Sequence, residues 1–268
     1  MSQRREVEAR LALFDDLSGI LGAMRSFALA ELRKVGKREA AQQQVVQSLQ
    51  TALADLADSL PEPVSSRPAN DIWLLFGSVR GFCGSFNEDV IRYWREESSQ
   101  QGPLILLGER LHQMVEERAA LQRLRGADGG LDAPAAIDSI LAAVAELRGV
   151  EFGLIACIRD EQGARSQRLW PLSNVSGKAR QNPPLTFAPA TEVAQGVAEH
   201  YLFHTLLALL LRSIRVENHM RLMQMETALR HLEHGGEELQ RQRNRLRQEE
   251  IVEEIELMVG RHQSPTGL

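Results

Sequence analysis

Aromatic residues make up only 5% of this 268-residue chain. That is too few for a core built around large rings, and a core of Ala, Leu and Val belongs to extended helical packing. Cysteine is scarce as well. Cys83 and Cys157 are the only two and form no CxxC pair, which excludes zinc ribbons, disulfide frameworks and thioredoxin-type motifs. Both read as small apolar residues in a reducing compartment. Positive charge is not in excess. A net charge of -5 and a pI near 5.9 argue against nucleic-acid binding, because phosphate contacts need surplus Lys and Arg. No apolar run approaches the roughly 20 residues of a membrane span. Tyr201–Leu211 comes nearest, but His204 interrupts it and Arg212 stops it. The opening MSQRREVEAR carries charge and lacks the apolar stretch of a signal peptide. The expectation is a soluble, cytoplasmic chain.

Proline is missing where it would matter most. The first is Pro61, and after Pro189 there is none until Pro265, so each end of the chain is free to form one long helix. In residues 1–60 a seam runs through Phe14, Leu17, Ile20/Leu21, Met24, Ala28, Leu32 and Val35, with one extra step of four after Ala28. A polar gap, Lys37–Gln44, precedes its resumption at Val46, Leu49, Leu53, Leu56 and Leu60. A helix from 5 to 59 would be roughly 80 Å long. Thr191–His262 reads as a second helix of roughly 100 Å, with Thr191 as N-cap. Its seam takes in Phe203, Leu207, Leu210, Ile214, Leu222, Met225, Leu229, Leu232, Leu239 and Leu246, and ends at Ile251, Ile255 and Met258. Gly235–Gly236 marks a bend or a close helix approach. Neither helix is stable alone in water, so the two are expected to pair antiparallel.

Pro61, Pro63 and Pro68, with Ser65, Ser66 and Asn70, form a linker, and beyond it the period changes. Ile72–Phe76, Leu104–Leu107 and Phe152–Ile158 have the length of buried parallel strands, and Gln167–Leu172 that of an edge strand. Helical patterns lie between them, at Asn87–Glu97, Glu109–Arg118 and Ala135–Leu147. The fold class expected is therefore an α/β domain, an open and mainly parallel Rossmann-like sheet, inserted between two long terminal helices that form an antiparallel coiled coil. Its parts are residues 1–60, 61–188 and 189–268.

Chemistry is harder to find. The stretch Phe76–Asn87 (FGSVRGFCGSFN) is a glycine-rich turn between a strand and a helix, a place where phosphate can sit. Its spacing fits neither GxGxxG nor GxxxxGK[ST], and a turn that presents Arg80 to a partner is the better reading. His200 and His204 stand four apart, but Tyr201 occupies the place where a zinc peptidase has Glu. These two, and His231 with His234, read as packing or partner-facing histidines. No metal, no cofactor and no catalytic residue is expected.

Three blocks, taken in order, resemble the gamma subunit of the F-type ATP synthase. Ser18–Met24 (SGILGAM) is similar to that family's Ile-Thr-x-Ala-Met stretch, and Ser78–Asn87 (SVRGFCGSFN) to its SDRGLCGGFN loop. Glu217–Ala228 and Asn244–Ile255 are similar to its SEHxxRMxAMxxA and NxxRQxxITxEIxEI segments. The resemblance implies a non-catalytic rotor. Its two terminal helices would form a shaft inside a hexamer of alternating alpha and beta subunits, with the α/β domain against epsilon and the ring of c subunits. It implies coupling of ion translocation to the beta catalytic sites, at the cytoplasmic face of the bacterial inner membrane and peripheral to it. The contact residues it implies are Met24, Arg80, Gly81, Cys83, Arg247, Gln248 and Glu254. Val79, Leu21 and Val252 depart from the pattern, each replacing a polar residue, and point to an alternative ion-translocating ATPase such as the N-type that moves sodium. The competing readings are a non-rotary coiled-coil scaffold whose α/β domain binds a ligand or partner, and an enzyme using the α/β domain alone.

Overall fold

The computed structural model describes residues 2–60, 70–98, 103–116, 122–146, 152–172 and 184–262. The expected linker, residues 61–69 with Pro61, Pro63 and Pro68, lies outside them, as do Arg118 and Leu147. Both terminal helices are present, α1 over Ser2–Asp55 and α5 over Ala190–His262. Between them come β1 (Asn70–Phe76), α2 (Phe86–Glu97), β2 (Leu104–Leu107), α3 (Glu109–Met114), β3 (Gln122–Leu124), α4 (Ala133–Ala145), β4 (Phe152–Asp160) and β5 (Gly163–Trp170). Thr191 is not the cap of α5. The helix has already begun at Ala190, and the Pro189 carbonyl accepts from the N–H groups of Glu192 and Val193.

The chain divides into two compact units, residues 28–221 and a second made by 1–27 with 222–268. In the larger unit the strands stand in the order β3-β2-β1-β4-β5, parallel except for β5, which pairs antiparallel with β4. Side chains alternate between the faces of a sheet, and here both faces are buried. Ile72, Leu74 and Phe76 of β1, with Leu154, Ala156 and Ile158 of β4, pack on α4, on Leu206–Ile214 of α5 and on Val35 of α1. Trp73, Leu75, Ile155 and Cys157 face the other way, onto Val90, Ile91 and Trp94 of α2 and Leu111 of α3. This double burial is why β1, β2 and β4 read as unbroken apolar runs. The α/β unit thus includes one part of each long helix, because Val35 and the apolar face of α5 complete its core.

Within this unit α1 keeps a regular seam. Ala28, Leu32, Val35, Glu39, Gln42, Val46, Leu49, Leu53 and Leu56 are all buried or half-buried, in alternating steps of four and three. Lys37–Gln44 is not a gap. Glu39, 4% exposed, accepts from Arg212 Nε at 3.1 Å and from Arg215 Nε. Gln42 Nε2 donates to the backbone carbonyl of His204 at 3.1 Å and meets its Nδ1 at 2.6 Å.

The smaller unit is an antiparallel helix pair. Arg4 Nη1 lies 2.8 Å from Glu250 Oε2, and Gly235 lies against Phe14. Its α1 seam runs through Val7, Leu11, Phe14, Ser18 and Leu21. Leu17 and Ile20 are exposed instead, Ile20 by 58%. On α5 Met225 is buried, and Leu222, Leu229, Leu232, Leu239 and Leu246 are half-buried. The seam stops short of its expected end. Ile251, Ile255 and Met258 are exposed, because Arg4 is already level with Glu250 and only Ser2 and Gln3 of α1 are described beyond it.

Candidate functional site

β1 ends at Phe76, and Gly77 starts the glycine turn by donating its N–H to Leu107 O at 2.8 Å. Only glycine fits at this point, since a Cβ would stand 2.2 Å from Leu111 Cγ. From there the chain closes on the first turn of α2. Asn87 Oδ1 accepts from the Ser78 N–H at 2.9 Å, and its Nδ2 donates to Ser78 Oγ at 2.9 Å. The Cys83 thiol completes the ring by donating to Ser78 Oγ at 3.4 Å. Burial pushes that thiol above its ordinary value, and the neighbouring Glu217 adds to the effect, against the Ser78 hydrogen bond and Arg221. Phe82 and Gly84 take positive φ, 61° and 59°, which turns the Phe82 ring out to solvent, 64% exposed.

From the other side α5 grips this turn. Glu217, Asn218 and Arg221 are polar residues buried on the side of α5 that meets the turn. Arg221 donates from Nε to Gly81 O at 3.1 Å, from Nη2 to Arg80 O at 3.4 Å and from Nη1 to Asn218 Oδ1 at 2.9 Å. Nη2 also pairs with Glu217. Burial raises the Glu217 carboxyl, and the guanidinium opposes that without overcoming it. Val216 and Met220 pack on Cys83 and Phe86 beneath the polar layer. The Arg80 side chain reaches outward to Asp128, with Nε 3.3 Å from Oδ1 and Nη2 3.0 Å from the carbonyl.

The turn is therefore filled by groups of this chain. The Ser78 N–H, a donor that a phosphate would use, already serves Asn87, and two of the turn's carbonyls serve Arg221. The anticipated residues Arg80, Gly81 and Cys83 meet here, with Arg80 exposed and Cys83 buried. Met24, Arg247, Gln248 and Glu254 belong to the smaller unit, Met24 half-buried and the other three exposed. Sequence reasoning assigned no role to Asn87, Glu217, Asn218 or Arg221. The available signal was that Glu217 and Asn218 stand four and three residues before Arg221, which puts all three on one side of the helix.

His200 and His204 stack with ring centroids 6.4 Å apart. No group of three His, Cys, Asp or Glu suited to a metal ion occurs among the described residues. Nor is any described helix long and apolar enough to cross a membrane.

The chain is 25% identical over 116 residues to the ATP synthase gamma chain of Akkermansia muciniphila, a match spanning 42% of this chain and 40% of that one. Its fold is similar to a chain in the rotor of the Euglena gracilis mitochondrial ATP synthase, with TM-score 0.66, 13% identity and coverage of 93% of this chain and 99% of that one. A second Euglena gracilis structure, of the OSCP/F1/c-ring assembly, contains a chain with TM-score 0.67 and 14% identity, covering 100% of this chain and 97% of that one. A family model described as ATP synthase matches residues 3–261, and the chain accordingly belongs to that family.

Proposed function

We propose that this chain is the gamma subunit of a rotary ATP synthase or ATPase, the central shaft that couples ion translocation to conformational change in the beta catalytic sites. The observation that carries this reading is the far end of α5. Ile251, Val252, Ile255, Leu257, Met258 and Val259 are all exposed apolar residues on one helical segment, and such a patch marks a surface that another protein covers. A sleeve made by alpha and beta subunits would do so, with exposed Arg247 and Gln248 just before the patch and Glu254 within it. The filled glycine turn supports a non-catalytic role. In this reading epsilon and the c-ring meet the α/β domain, and the chain sits peripherally at the cytoplasmic face of a bacterial inner membrane.

Purification from native membranes tests the proposal, with co-elution of alpha and beta subunits as the expected result and a chain that elutes alone as the refutation. A sharper test is Met24→Lys, which places a cation on the shaft. Ion pumping is expected to fall more than ATP hydrolysis in the reconstituted complex. Parallel loss of both at normal subunit content would count against the contact assigned to Met24.

A further inference from the structure

We propose that Arg221 is a positioning residue, a latch that fixes residues 80–84 to α5 and so holds Arg80 and Phe82 in the outward geometry described above. Arg221 is only 7% exposed, and each nitrogen of its guanidinium has a partner. Nε and Nη2 donate to the carbonyls of Gly81 and Arg80, Nη1 donates to Asn218, and Nη2 also serves Glu217. Both loop acceptors are backbone atoms, so the latch reads the shape of the turn and not its side chains. Such a grip is needed, because Phe82 is the one non-glycine residue with positive φ among those described. A bulky residue holds that conformation only where its surroundings enforce it. Glu217 and Asn218 stand one turn back on the same helix and orient the guanidinium, which a bare lysine ammonium could not replace. The link to function rests on the rotor reading. In a rotor, the latch would make the loop follow α5 as the helix turns, since the carbonyls it holds belong to the α/β domain.

The two cysteines supply an internal test. Cys83 lies under the latch, and Cys157 is buried in the central sheet, its thiol pushed up to about 12 by burial. Native full-length protein is treated with a maleimide, and labelling at each cysteine is followed by peptide mapping. In wild type both react slowly. Arg221→Ala is expected to speed labelling of Cys83 at least tenfold and to leave Cys157 slow. Arg221→Lys, which keeps a charge for Glu217, is expected to fall between. Cys83 labelling at the wild-type rate in Arg221→Ala overturns the latch. So does equal acceleration at both cysteines in both variants, because the arginine would then support the fold as a whole. In the reconstituted complex, Arg221→Ala should lower the ratio of ion pumping to hydrolysis, with partial rescue by lysine. An unchanged ratio with Cys83 released overturns the link to rotation. Failure of the wild-type chain to assemble with alpha and beta would sink the rotor reading alone, because the labelling result does not depend on partners.

Discussion

Gly235 faces the ring of Phe14 so closely that a Cβ on the glycine would stand 2.8 Å from Cε2 of the ring, whereas a Cβ on its neighbour Gly236 would meet nothing within 4 Å. The Gly-Gly pair therefore marks a close helix approach on one side only. In a helix interior Gly→Ala is worth about 1 kcal/mol of propensity, and Gly236→Ala should realise that gain as a higher unfolding midpoint. At Gly235 the same gain is opposed by overpacking, which costs about 1–3 kcal/mol, so Gly235→Ala should lower the midpoint. Phe14→Leu in the Gly235→Ala background should restore much of it. Thermal unfolding followed by circular dichroism checks all three variants, and equal behaviour of the two alanine substitutions would refute the close approach.

Glu39 is expected to be the costliest carboxylate to remove from the α1 seam. It is buried between Arg212 and Arg215, and loss of one member of a buried pair leaves charge unmatched, at a cost of about 3 kcal/mol. Glu161 also pairs with Arg215, but its side chain is 55% exposed, and there the expected loss is below about 1 kcal/mol. Urea unfolding of Glu39→Ala and Glu161→Ala should separate the two clearly. Similar midpoints would mean that Glu39 is solvated as well as Glu161.

The same carboxylate shows where a reading of sequence runs out. β1, β2 and β4 were legible because residues such as Leu74 and Leu75 are buried on opposite faces, which leaves no polar interruption in the run. β3 was not. Its Gln-Arg-Leu is short and polar, and it is held at the sheet edge partly by Arg123, which donates to the carbonyls of His112 and Val115. β5 begins at Gly163, four residues before the expected strand, because a tight turn follows β4 in which Asp160 Oδ1 accepts from the Gln162 N–H. The polar stretch 37–44 looked like a gap for a related reason. A buried glutamate or glutamine belongs in a seam only when its partners, here from α5, are known. At the site the glycine turn was visible from its composition. Arg221 was not, because its acceptors are backbone carbonyls distant in sequence.

His204 should make the α/β unit sensitive to mild acid. Gln42 Nε2 donates to the His204 carbonyl, so this atom is a nitrogen, and the imidazole Nδ1 it also meets must be the unprotonated acceptor. Burial holds the imidazole below its ordinary value of 6.5, and the nearby His200 adds to the shift. The folded state thus binds a proton less readily than the unfolded one. The stabilising contribution is complete above pH 6.5 and is lost as pH falls below it. His204→Asn offers an oxygen in place of Nδ1 without titrating, so its unfolding midpoint should fall less than that of wild type between pH 7.5 and 5.5. Identical pH profiles would show that His204 does not set the acid sensitivity.

The exposed end of α5 gives the most direct test of what surrounds it. Ile251, Ile255 and Met258 lie on one helical face, in steps of four and three, and all three are exposed. Replacing all three with serine should cost the isolated protein little, since exposed positions outside special features change stability by less than about 0.5 kcal/mol. Binding is another matter. Fully burying one such side chain is worth about 1.5–3 kcal/mol, so the triple variant should lose at least tenfold in affinity for a complex of alpha and beta subunits. Titrating the labelled protein into that complex measures the loss directly. Unchanged affinity would mean that this apolar segment remains in solvent after assembly, and the sleeve proposed for it would have to be placed elsewhere on the helix pair.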